Sequence, residues 1–241
     1  MPAHVPSIRS MPTGHARAAA TIPVIVEAGS KRAFASAVDW PGWARGARDE
    51  TMALEALVTY APRYSLIVSR AALGFLPPAD TTALRVVERL SGNATTEFGA
   101  PGVPAKVDAT AVGAAELARL QELLTAGWRA FDAGVDAARG KTLRAGPRGG
   151  GRSLAAIVEH VREAEAGYLS AVGWPFKTSA GGRELLERTR AAVREGLVAS
   201  AQGEIAPNGP RGGVRWKPRY FVRRLMWHAF DHLWEIEDRS T

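Results

Sequence analysis

His228 and His232 are four residues apart in a stretch with helical periodicity, so both imidazoles project from one face about one turn apart and can chelate a single ion. His160 lies some seventy positions earlier, at the edge of another apolar stripe, and can reach the same ion from a facing helix. Three neutral nitrogens leave coordination positions open, which suits catalysis better than a closed four-ligand structural site. The chain contains no cysteine, so any transition-metal site must draw on His, Asp or Glu. The remaining histidines, His4 and His15, fall in the first twenty residues, so every histidine of the expected folded region belongs to this one candidate site. Chance offers a competing account, since His-x-x-x-His also arises in ordinary core or surface helices.

Three carboxylates stand near enough in sequence to orient an imidazole or add a ligand: Asp231, Glu235 and Glu163. The pattern does not rank them. Arg224 precedes His228 by four and should share its face one turn nearer the N-terminal end. It is the candidate catalytic residue, binding the carboxylate of an acidic substrate or thiol with help from the basic residues Arg211 to Arg223. The alternative is a solvated basic face.

These residues need elements to hold them. Of the 241 residues, 46% are hydrophobic, enough to bury a core in one large domain or two small ones. The net charge of +7 permits attraction to nucleic acid, a membrane surface or small acids without choosing among them. No apolar run approaches the roughly 18 residues of a membrane span, and residues 1–20 lack the apolar core of a secretory signal. They read as a disordered tail, and the expected location is cytoplasmic.

Ile22–Ala28 and the segment from Ala33 have strand character around a Gly29-Ser30 turn, giving a hairpin. Asp49 is a fair N-cap for a helix that Pro62 should end. Ser65 to Leu76 fits helix or strand, while Leu84–Leu90 and Ala94–Phe98 read as extended. Glycines and prolines from Gly99 to Pro104 suggest a boundary, so that residues 21–105 form a small α+β module and 106–241 a second unit.

Beyond it the period turns helical: Ala115 to Ala138, a helix capped by Ser153 and ended by Trp174-Pro175, Arg183 to Ser200, and a last helix from about Arg219. The second carries Leu154, Ile157, Val161, Ala164 and Tyr168 as its apolar stripe. Gly146 to Gly151 reads as a flexible linker rather than an RNA-binding Arg/Gly segment. Gly140-Lys141-Thr142 is no phosphate loop, because Val135 takes the place of the leading glycine. The expected fold class is α+β, with a C-terminal four-helix bundle.

The segments SLAAIVEHVREAEAGYL, with His160, and RYFVRRLMWHAFDHLWEIEDR, with His228 and His232, resemble the second-helix and fourth-helix signatures of the DinB-like superfamily. The resemblance covers about residues 110 to 241. It implies a four-helix bundle holding zinc, nickel or a related divalent ion on His160, His228 and His232. It also implies an activity of the kind its better-understood members have, transfer or isomerisation with a low-molecular-weight thiol such as mycothiol; the specific reaction does not transfer with the motif. VIVEAGSKRAFASAVDWPGWARGARDETMALEAL resembles the small module of HicB-type proteins, the alternative being a plain α+β cap on the bundle. The expected partner is a small-molecule substrate, with no membrane; a homodimer is admitted. The rival function is non-catalytic binding of nucleic acid or protein through the N-terminal module and basic surface.

Overall fold

The computed structural model describes residues 21–69, 71, 73–145 and 151–241. The expected tail, with His4 and His15, and most of the Gly146 linker lie outside them. The described residues form a four-stranded sheet followed by mostly helical chain, an α+β protein as expected.

The hairpin is β1 (Ile22–Ala28) and β2 (Ala33–Ala37), paired antiparallel with Val24 opposite Ala37, and Gly29 N–H closes its turn on Arg32 O at 2.8 Å. A further strand, β3 (Ala44–Ala47), continues the sheet antiparallel to β2. Four residues, Ala-Arg-Gly-Ala, have little strand propensity; pairing with β2 makes this strand, and no local pattern could announce it. Helix α1 (Glu50–Ser69) then carries the chain across to β4 (Leu84–Ser91), which lies parallel to β1, giving the order β3-β2-β1-β4.

Asp49 caps α1, its Oδ1 accepting from Met52 N–H at 3.0 Å. Pro62 does not end the helix, contrary to expectation. It sits on the exposed face, while Leu57, Ala61, Tyr64, Ile67 and Val68 are buried on the other. Losing one backbone hydrogen bond costs less than exposing that face. Ser65 to Ser69 is accordingly helix.

Ala94–Phe98 is also a correction: it is a short helix, α2, not a strand. Asn93 Oδ1 accepts from Thr95 and Thr96 N–H, and Thr96 Oγ1 accepts from Asn93 N–H at 2.8 Å, so reciprocal capping overrides the β-branched composition.

The last four helices, α3 (Ala114–Ala138), α4 (Leu154–Val172), α5 (Gly182–Ala201) and α6 (Pro218–Arg239), pack on one another. Ser153 caps α4 as expected, but Gly173, in the left-handed conformation, ends it before Trp174-Pro175 is reached. Its buried line is Ile157, Val161, Glu165, Leu169 and Val172, rotated from the stripe through Ala164 and Tyr168. Helix α6 is buried nearly all round, because it packs against the bundle and also meets the sheet through Phe34 on Trp227 and Arg45 on Asp231. One apolar cluster therefore joins Val24, Trp43 and Leu57 to Leu124, Ile157 and Phe230.

Gly42, in the turn before β3, lies against α6. Its φ is +90°, and a Cβ there would lie 2.5 Å from Phe230 on α6. Gly42→Ala is expected to destabilise the fold by about 1–3 kcal/mol through backbone strain and overpacking, read as a lower urea midpoint. An unchanged midpoint would show that the sheet and α6 are not held in this contact.

Candidate metal centre

Helices α4 and α6 cross so that His160 meets His228 and His232. The three ring centroids form a nearly equilateral triangle, 4.9, 4.9 and 4.7 Å apart. One candidate ligand atom from each lies within 4.8 Å of the others. His160 Nε2 and His228 Nε2 are 3.1 Å apart. Two nitrogens each about 2.0–2.1 Å from one tetrahedral ion would be about 3.3 Å apart, so this edge already has the length a shared ion imposes. Three imidazoles without thiolate or carboxylate form a donor set that zinc, nickel and neighbouring divalent ions accept. The residues present fit the group.

Burial keeps these rings ready to ligate. His228 is 8% exposed, and desolvation, reinforced by the positive potential of His232, His160 and Arg224, pushes its pKa down to about 2. Half-buried His160 is lowered too, first by desolvation and then by Arg152 and His232. Both are therefore neutral at pH 7, the form that donates a lone pair.

The three carboxylates can now be ranked. Glu235 Oε2 lies 2.7 Å from His232 Nδ1 and orients that ring. Asp231 is taken by Arg45 at 3.0 Å. Glu163 is exposed and acts on His160 through its charge alone.

Arg224 lies one turn before His228, near enough for its charge to act on that ring. Its side chain is buried, 8% exposed, with the guanidinium 4.9 Å from the Trp227 ring and 5.6 Å from Tyr168. Nη1 donates to Pro101 O at 2.6 Å and Nη2 lies 3.4 Å from the Tyr168 hydroxyl, leaving Nε as a buried donor without a partner. The basic residues expected to assist it are partly committed elsewhere: Arg219 pairs with Glu116, and Arg223 with Asp108.

Two groups of the site escaped the sequence reading. Tyr168 stands beside His228, ring centroids 6.0 Å apart, and stacks towards Trp216 at 5.1 Å, walling one side of the cluster. Arg239 holds Glu235 from one turn further along α6; the i, i+4 spacing of opposite charges was its available signal.

Fold and site together define an α+β protein with a largely buried cluster of three histidines able to hold a metal ion. Comparison of the chain with family models, curated proteins and solved structures gave no match.

Proposed function

We propose that this chain is a DinB-like metal protein that holds zinc or nickel on His160, His228 and His232 and acts with a low-molecular-weight thiol, mycothiol or a relative, in a transfer or isomerisation reaction. The observation that carries the reading is the convergence of three imidazoles from two helices with no fourth protein ligand in the group among the described residues. When bound, the ion supplies a Lewis acid that favours the thiolate over the thiol at neutral pH. The chain does the rest. Glu235 orients His232, while Tyr168, Trp216 and Trp227 screen water from one side of the cluster. Burial raises the Tyr168 pKa, so its hydroxyl keeps its proton and can donate. Arg224 supplies positive charge beside His228, complementary to an anionic group of the substrate.

Cobalt substitution tests this directly. Adding a low-molecular-weight thiol to the Co(II)-loaded protein is expected to produce a thiolate-to-metal charge-transfer band, absent in the His160→Ala, His228→Ala, His232→Ala triple variant. Cobalt uptake without a band across a panel of thiols would remove the thiol from the proposal, and no uptake would remove the metal.

A further inference from the structure

Metal ligands are oriented by what their other ring nitrogen meets, and at His232 that contact belongs to a longer chain. Glu235 divides its two oxygens: Oε2 accepts from His232 Nδ1 at 2.7 Å, and Oε1 accepts from Arg239 Nη1. Arg239 spends its other two nitrogens on backbone. Its Nε donates to Arg144 O at 2.8 Å and its Nη2 to Arg152 O at 3.0 Å, two carbonyls between α3 and α4. Gly151 makes room for this, since a Cβ there would lie 2.4 Å from Nη2. The end of the chain is tied to the same connector by Thr241 N–H on Thr142 O at 3.1 Å and by Arg144 N–H on Arg239 O at 2.8 Å.

We propose that Glu235 and Arg239 are positioning residues of the metal centre: Arg239, clamped to the Arg144 and Arg152 carbonyls, fixes Glu235, which keeps the proton on His232 Nδ1 and leaves Nε2 as the ligand atom. A carboxylate can only accept, so the ring nitrogen facing it must be the protonated one. The five donors of a guanidinium in a fixed fork serve three acceptors here, which the single ammonium of a lysine cannot do in the same geometry. The orientation of the third ligand thereby depends on where the Arg144 and Arg152 carbonyls lie, so metal affinity and the position of these two residues are coupled through this one side chain. This inference rests on the metal reading above.

Two measurements test it separately from that reading. In the metal-free protein, nitrogen-15 NMR of His232 is expected to show the Nδ1–H tautomer in the wild type and a mixture of tautomers in Glu235→Ala and Arg239→Ala. In competition with a chromophoric chelator, each variant is expected to bind zinc roughly 10–100-fold more weakly, and the double variant no more weakly than Glu235→Ala. A change in general stability alone would leave the tautomer in place and would multiply in the double variant. Zinc affinity unchanged in both single variants, or a His232 tautomer indifferent to them, would overturn the positioning role. A wild type that takes up no zinc would overturn the metal reading, while the tautomer measurement would still decide between a fixed and an unfixed His232.

Discussion

Replacing His228 with alanine is expected to abolish stoichiometric uptake of zinc or nickel while the chain stays folded. His228 is the ring to remove because it sits 3.1 Å from His160 Nε2 and beside Tyr168, at the junction of the two helices. Without it, only His160 and His232 remain, one nitrogen from each helix, and two ligands hold an ion far more weakly than three. If the roughly 10–16 kcal/mol of a four-ligand zinc site is shared evenly, one ligand accounts for about 2.5–4 kcal/mol, on the order of 10²–10³-fold in affinity. The fold survives because the apolar core does not depend on the ion: Ile157, Phe221, Leu225 and Phe230 pack without it.

Zinc at 100 times its dissociation constant adds about 2.7 kcal/mol to the wild type. For a chain of this size that is a rise of roughly 5–10 °C in Tm, which the variant should lose. Elemental analysis beside thermal scans checks both, and one ion per chain in His228→Ala would refute the assignment. Acidity supplies a further check on metal-free protein. His228 is held neutral down to about 2 in the folded chain, whereas an unfolded histidine protonates near its ordinary 6.5. The unfolded state thus binds more protons below about pH 6.5, and stability falls as pH falls through that window and is flat above it. The fall should be shallower in the variant.

Glu165→Gln is expected to stabilise the protein at pH 8 and to leave it nearly unchanged at pH 4. Glu165 is 3% exposed between α3, α4 and α5, its Oε1 accepting from Trp128 Nε1 at 2.7 Å and its Oε2 buried without a partner. Arg190 is close enough to attract it but is already held by Asp132 through two 2.7 Å bonds, and its own Nε is unpartnered. Desolvation wins over Arg190 and Trp128 and raises the carboxyl to about 7. Between about pH 4.5 and 7 the folded chain therefore holds a proton that the unfolded chain has released. Stability falls as pH rises through that window, by on the order of 3 kcal/mol in all, and the loss is complete above it.

Glutamine keeps the bond from Trp128 and carries no charge, so the variant should gain about 1–3 kcal/mol at pH 8. Measuring both proteins with the metal removed, and taking the difference, cancels the opposite trend from the histidines. A difference that does not grow between pH 5 and 8 would mean that Glu165 is ionised in the folded state.

Glu165 also shows why part of the molecule was hidden. A glutamate on a helix reads as a solvated residue, and only the true line of burial through Ile157, Val161 and Leu169 reveals that it faces the core. The rotation of α4 that sets this line is decided by α3, α5 and α6 together. Strand β3 and helix α2 were missed for related reasons: one exists by pairing with β2, the other by a side-chain cap stronger than the propensity of two threonines.

The sequence by itself determined the α+β class, the hairpin, the four C-terminal helices and the identity of three candidate ligands. These follow from periodicity, capping residues and a scarcity of alternatives, since no cysteine and no other histidine of the described chain competes. Tertiary structure alone decided that the rings meet, that Glu235 rather than Asp231 or Glu163 bonds to one of them, and that Arg224 is enclosed by aromatic rings. Local sequence fixes which face of a helix a side chain occupies. It does not fix how two helices cross, and a metal centre is a property of the crossing.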